Sequence, residues 1–216
     1  MRLIDLAHPL EHGQPAFPGD PQLAIIPIGT VATMRFNLSQ VTTGTHQGTH
    51  LDAMYHFLDD GKTIDQMPLA WFYGPARVLR IPKGANEEIT ENDLLPFERQ
   101  LTPEAKIIVA TGWYARFGAP NYFTEFPSFT LAAGRYLARR KIRLLGMDMP
   151  SPSRDWYEIH HLLLAPEVEM VLVENLANLG ALPDEFTFIG FPLNIKGRDG
   201  SPIRAVALCE DQPNPR

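Results

Sequence analysis

The chain has 216 residues, 44% of them hydrophobic, with one cysteine and a formal net charge of −6. That is apolar material enough for a sizeable core, and the length suits one domain over residues 1–216. The acidic balance excludes the basic field that nucleic acid or an anionic membrane requires, no run approaches the roughly 18 apolar residues of a membrane span, and a lone Cys209 excludes an internal disulfide.

Residues 1–5 lack the long apolar segment of an export signal, so the expected location is the cytoplasm. Residues 2–10 alternate weakly and read as a strand. Residues 23–45 are rich in apolar and β-branched side chains, broken near Gly29, and read as two strands. They deliver the chain to His46, His50, Asp52 and His56, which hold three of the seven histidines. Imidazole and carboxylate are the ligand types of Zn²⁺ and related divalent ions in enzymes.

Spacing limits how this cluster can work. At helical period His46 and His50 share a face, but Asp52 and His56 point elsewhere; at strand period all four face one way. A straight strand would hold His46 and His50 roughly 13 Å apart, too far for two ligands of one ion at about 2 Å each. The chain must bend between them, and Gly48 is the residue free to adopt the required backbone angles. His50 and Asp52, roughly 7 Å apart on one strand face, need little adjustment. On the residues alone, His56 fits equally as a further ligand or as a proton carrier.

Residues 75–82 and 106–111 read as strands, and Thr90-Glu91-Asn92-Asp93 has capping-box spacing that opens a short helix. Residues 131–140 read as a helix whose basic end, Arg139-Arg140-Lys141, suits the negative pole of the helix dipole better than a phosphate site. A strand over 142–147, a helix over 156–164 and a strand over 170–174 follow. His160 and His161 lie on that helix, and Glu174 ends the strand, where α/β proteins often place functional carboxylates. Asp148, at the end of the preceding strand, is expected to orient the site or bind a turn amide. Strands over 186–193 and 203–208 are expected to close the chain as a hairpin through Lys196-Gly197-Arg198-Asp199-Gly200, with Cys209 a buried residue beside the last strand. The order of elements predicts an α/β fold, a mixed sheet with packed helices. No Gly-x-Ser-x-Gly elbow is present to support a serine nucleophile. Phe17, Trp71, Phe72 and Trp113 are candidates for a flat apolar pocket or for core.

The run His46-Gln47-Gly48-Thr49-His50-Leu51-Asp52-Ala53-Met54-Tyr55-His56-Phe57 resembles the signature of the metal-dependent cyclase family, which includes bacterial kynurenine formamidases and isatin hydrolase. Phe17-Pro18-Gly19-Asp20-Pro21, Thr111-Gly112-Trp113 and Gly146-Met147-Asp148-Met149-Pro150-Ser151 are similar to further family segments in the same order. So are Val173-Glu174-Asn175-Leu176-Ala177-Asn178-Leu179 and Gly200-Ser201-Pro202-Ile203-Arg204-Ala205. Met54 and Met149 depart from the family pattern, and Ala165-Pro166-Glu167-Val168-Glu169 lengthens the interval before Glu174.

The resemblance implies a swivelling β/β/α domain. It implies metal ligands at His46, His50, Asp52, His160 and Glu174, with His160 preferred over His161, and a proton-transfer role for His56. It implies one or two Zn²⁺ ions, with Mn²⁺ an alternative, and hydrolysis of an aromatic amide by a metal-activated water. N-formylkynurenine, cleaved to kynurenine and formate, is the first expectation, with Phe17, Trp71 and Trp113 against the substrate. The alternatives are an isatin-like cyclic amide or lactone, or a metal- or ligand-binding protein without chemistry. A homodimer or homotetramer is the expected assembly.

Overall fold

The computed structural model describes residues 1–210, and its first strand, β1 (Arg2–Asp5), leads into a long irregular arm. Residues 23–45 then form a hairpin of β2 (Ala24–Gly29) and β3 (Leu38–Thr42), with a one-turn helix α1 (Val31–Met34) at its tip. After the histidine-bearing β4 (His50–Asp52) come β5 (Tyr73–Arg80), β6 (Glu88–Ile89), α2 (Glu91–Leu94), β7 (Lys106–Ala110) and β8 (Ser128–Phe129). The chain continues through α3 (Leu131–Arg140), β9 (Leu144–Met147), α4 (Trp156–Leu164) and β10 (Val171–Glu174). It ends with β11 (Glu185–Ile189), β12 (Gly200–Pro202) and β13 (Val206–Cys209), whose Cys209 is buried.

Nine of these strands make one mixed sheet, in the order β1-β13-β11-β5-β7-β9-β10-β4-β12. The central four, β5, β7, β9 and β10, run parallel, and the flanking ones pair antiparallel. The central strands read Ile107-Ile108-Val109 and Val171-Leu172-Val173, apolar at successive positions, as strands covered on both faces must be. Their alternation divides the core. Leu79, Val109, Leu145 and Leu172 pack on the face that receives α3 and α4. Val78, Ile108, Val171 and Val173 pack on the other, with Leu6, Phe72 and Phe188. The sheet curls: Ala7, just past β1, bridges to Leu176, just past β10, and the Ala177 N–H donates to the Leu6 carbonyl at 2.8 Å.

The expected helix over residues 131–140 forms, with the Thr130 hydroxyl accepting from the Ala133 N–H. Its basic end is spent on the surface, Arg140 on Glu98 and the Tyr136 hydroxyl. Helix α4 buries Ile159, His160, Leu163 and Leu164 on one face. It comes so near α3 that a Cβ on Gly134 would stand 2.3 Å from Ile159 Cδ1.

The closing hairpin does not form as expected. β11 and β13 do pair antiparallel, but the chain between them crosses to the far edge of the sheet, where β12 pairs with β4. The physical reason is that β10 covers only one side of the buried β4, and its other row of backbone donors and acceptors needs a partner. Residues 196–200 are therefore the approach to that edge strand, not a turn between β11 and β13.

Beyond β4 the chain makes a single tight turn, Met54–His56, that holds His56 beside it. Gly61 closes the following loop with its N–H on the Leu58 carbonyl at 2.8 Å, and a Cβ there would lie 2.5 Å from the Met54 carbonyl carbon. Backbone cannot yield as a side-chain tip does. We predict that Gly61→Ala lowers stability by roughly 1–3 kcal/mol, read as a urea midpoint shift, with Gly84→Ala as the tolerated control. An unchanged midpoint would show that this packing does not matter.

Candidate metal centre

The register of β4 against β10 sets the geometry. His50 lies directly opposite Glu174 and Asp52 opposite Leu172, so both carboxylates and His50 project from the helix-facing side of the sheet while Leu51 points into the other core. His50 Nε2 is 3.3 Å from Glu174 Oε2 and 3.4 Å from Asp52 Oδ1. His160, on the sheet-facing side of α4, places Nε2 3.4 Å from Glu174 Oε1 and 3.6 Å from Asp52 Oδ2. His161, one residue on, packs on the rings of Phe57 and Tyr157 instead.

His46 arrives by the bend that the sequence requires. Gly48 adopts φ +61°, and the imidazole comes back over β4, with Nδ1 2.8 Å from Asp52 Oδ1. That Gly48 carbonyl also accepts from His50 Nδ1 at 2.8 Å and from Asn175 Nδ2 at 3.0 Å. His160 Nδ1 donates to the Trp156 carbonyl one turn earlier, at 2.6 Å. Both rings thus hold a proton on Nδ1 and turn Nε2 inward, so that loss of the Nε2 proton leaves the tautomer a metal ligand needs.

Two donor groups result, His46–His50–Asp52 and Asp52–His160–Glu174, in each of which the ligand atoms lie within 4.8 Å of one another. Asp52 is common to both. Its Oδ2 is buried without a hydrogen bond among the described residues, with His160 Nε2 facing it at 3.6 Å, an acceptor that a bound cation would satisfy. The residues present fit a divalent ion.

A third group joins His46 and His56 to Asp199, whose Asp-Gly context in the sequence is that of a turn. Asp199 Oδ2 is 2.7 Å from His46 Nε2, accepts from the Thr45 hydroxyl at 2.8 Å, and lies 3.9 Å from His56 Nδ1. The His56 ring stacks on His46 with centroids 3.8 Å apart. Gly200 permits this approach, since a Cβ there would meet His46 Cε1 and the Leu51 carbonyl, each at 2.7 Å.

The charges are tightly linked. Burial opposes protonation of His46, yet Asp52 and Asp199 overcome it and push the ring up to about 9. Against the same burial, Asp52 and Glu174 raise His50 to about 10 and His160 to about 9. Asp52 is held well below the usual carboxylate range, its own burial outweighed by His46, His160 and His50. The His46 hydrogen bond likewise holds Asp199 low. His56 goes the other way, lowered to about 4 by burial, and is neutral at working pH.

Asp148 is fully buried and takes no part in these groups. It accepts from the Thr111 N–H and hydroxyl and from the Gly112 N–H, at 2.7–3.1 Å, which is the turn-binding role of the two expected for it. Next to it Tyr122 donates to Asn175 Oδ1 at 2.8 Å, so the chain of bonds runs from Tyr122 through Asn175 to the Gly48 carbonyl and His50.

The metal groups form the floor of a cleft of about 250 Å³. Its walls are Phe17, Phe57, Phe123 and Trp156, with Pro18 and Asp20 at one side. Of the aromatic candidates from the sequence, only Phe17 is here. Trp113 is buried in the core, donating Nε1–H to the Tyr122 carbonyl at 3.1 Å. Trp71 lies beneath the Arg143 guanidinium, 4.1 Å from its ring centre, and lines no part of the cleft. Phe72 is core.

Known proteins resemble the chain in sequence and in fold. The kynurenine formamidases of Bacillus mycoides (strain KBAB4) and Geobacillus thermodenitrificans (strain NG80-2) are each 28% identical over 208 residues, 94% of this chain and 95% of theirs. Isatin hydrolase A from Labrenzia aggregata, solved bound to benzyl benzoate, is 28% identical with a TM-score of 0.83, covering 95% of this chain and 93% of its own. An isatin hydrolase bound to the product analogue thioisatinate has a TM-score of 0.86 at 23% identity, over 97% of this chain and 92% of its own, a likeness of fold. The family model for Cyclase matches residues 4–154, from β1 through the histidine cluster to the loop before α4, and the chain belongs to the Cyclase family.

Proposed function

We propose that this chain is a one-domain, metal-dependent amide hydrolase acting on C–N bonds other than peptide bonds, with an aryl formamide as substrate. The observation that carries this reading is Asp52, buried between three imidazoles and Glu174 and shared by two donor groups, with one oxygen making no hydrogen bond among the described residues. His46, His50 and Asp52 would hold one ion, and Asp52, His160 and Glu174 a second. Zn²⁺ suits these nitrogen and oxygen donors, and Mn²⁺ suits them too. A divalent ion bound there supplies Lewis acidity and lowers the pKa of water from 15.7 to about 7.

The chain's own groups do the rest. His56 borders the cleft as a neutral imidazole, able to take a proton from the attacking water and return it to the departing nitrogen. Asp199 Oδ2 and the His46 ring fix its position. Phe17, Phe57, Phe123 and Trp156 give an aryl group flat apolar walls and keep bulk water from the reacting carbonyl. N-formylkynurenine, hydrolysed to kynurenine and formate, matches these walls, and the names of the formamidase relatives support it. Opening of an isatin-like cyclic amide is the second reading, supported by the likeness to isatin hydrolase A.

Assembly enters through the β2–β3 hairpin, which leaves Ile26, Ile28, Val31, Phe36, Leu38 and Val41 45–61% exposed. A protruding apolar arm of this kind is unusual for an isolated chain and suits a second copy. We read the protein as a homodimer or homotetramer. Phe36→Asp with Val41→Asp should shift light-scattering mass to that of one chain; an unchanged mass places the contact elsewhere.

Two experiments address the centre. His50→Ala is expected to lose bound metal, by elemental analysis, together with turnover of N-formylkynurenine and isatin. His56→Ala should keep its metal and lose roughly 10²- to 10⁴-fold in kcat. Full activity in metal-replete His56→Ala would remove His56 from the mechanism. If neither substrate is turned over by the metal-loaded wild type, the hydrolase reading gives way to a binding protein.

The second is pH dependence. His46, His50 and His160 titrate higher in the ligand-free fold, at about 9 to 10, than the ordinary value of about 6.5 for an unfolded chain. Their stabilisation is complete below about 6.5 and is lost as pH rises through 9 to 10. The chelated protein should therefore lose melting temperature between pH 7 and 10. Added Zn²⁺, which needs the rings neutral, should raise it more at pH 8 than at pH 6. A flat profile with chelator would contradict these ion pairs.

A further inference from the structure

The Phe17-Pro18-Gly19-Asp20 segment is a built turn. Its closing bond runs from the Asp20 N–H to the Phe17 carbonyl at 3.0 Å, and Gly19 sits at φ +102°, the third position of a type II turn after proline at the second. The turn is anchored at both ends: Phe17 meets Phe123 edge to face at 6.2 Å, and Pro21 packs at Gly44, where a Cβ would stand 3.3 Å from Pro21 Cγ. It therefore presents the Phe17 ring and the Asp20 carboxyl together at the wall of the cleft.

Asp20 differs from the other acids there. Glu174 belongs to a metal donor group, whereas Asp20 belongs to none; among the described residues its side chain makes no hydrogen bond or ion pair and feels the longer-range attraction of His46 and His50. Equally, none of the described residues that line the cleft is a lysine or arginine. Apart from the metal groups at the floor, a substrate carboxylate would meet no lysine or arginine, while a substrate ammonium would meet a carboxylate set beside an aromatic face.

We propose that Asp20 is a specificity-determining residue: its carboxylate receives the ammonium group of an aryl-amide substrate whose ring lies along Phe17, and the cleft makes no demand for a carboxylate on that substrate. This rests on the aryl-amide reading and sharpens it. The preferred class is an aryl formamide with a side chain ending in a protonated amine. The amino-acid head of N-formylkynurenine qualifies through its amine alone.

The test compares three formamides on metal-loaded wild type and Asp20→Asn: N-formylkynurenine, the same compound without its carboxylate, and formanilide, which has no charge. In the wild type, removing the carboxylate should change kcat/KM less than threefold. In Asp20→Asn, the preference for either amine over formanilide should fall roughly 10- to 100-fold, mostly through KM, and Asp20→Glu should restore part of it. Equal losses on all three compounds, or a strong wild-type dependence on the carboxylate, would overturn the proposal. Calorimetric binding of kynurenine and of neutral 2-aminoacetophenone to both proteins reads the same difference without turnover. A wild type inactive on every amide would defeat the hydrolase reading, and the calorimetry would still decide whether Asp20 selects the amine.

Discussion

The pairing of two short strands governs everything at the centre of this protein. β4 lies antiparallel to β10 with His50 across from Glu174, and that single register puts an imidazole and two carboxylates on the same side of the sheet. A slip of one residue would send them into the apolar core on the other face and bring Leu51 up in their place. Such a slip is strongly disfavoured, because Leu51 and Val173 are both fully buried on that opposite face. The apolar residues that look least functional are what hold the polar ones in line.

Around that register, polar bonds do the finer aiming. The Gly48 carbonyl receives both His50 and Asn175, and the Tyr122 hydroxyl steadies Asn175 from behind. Trp113 stacks over Tyr122 and donates to its carbonyl. A tryptophan that touches nothing in the cleft therefore bears on the orientation of an imidazole within it. Asp148 acts in the same layer by closing the Thr111–Gly112 turn.

How much of this was readable beforehand depends on the range of each interaction. The density of His46, His50, Asp52 and His56 and the need for a bend at Gly48 are local, and both were legible. The choice of His160 over His161 was open to a helix-phase argument, since His160 shares its face with Ile159, Leu163 and Leu164. Asp199 was not legible: in an Asp-Gly pair it looks like a turn residue, and its partner His46 is 153 positions away. The crossing of β12 to the far edge was hidden for the same reason, because local pattern cannot say which strand lacks a neighbour. Aromatic side chains in core and cleft look alike in a sequence: nothing local separates the buried Trp113 from Phe17, or marks Phe57, Phe123 and Trp156 as cleft walls.

The edge strand β12 has a consequence for biosynthesis. It borders β4, and the residue just before it contacts His46 from 153 positions further along the chain, so among the described strands it is made after all but β13. A nascent polypeptide emerging from the ribosome thus exposes its imidazoles long before their last carboxylate companion exists. Coordination by the growing chain would be open-sided, and the pocket is sealed only once β12 and the Asp199 that precedes it have been made.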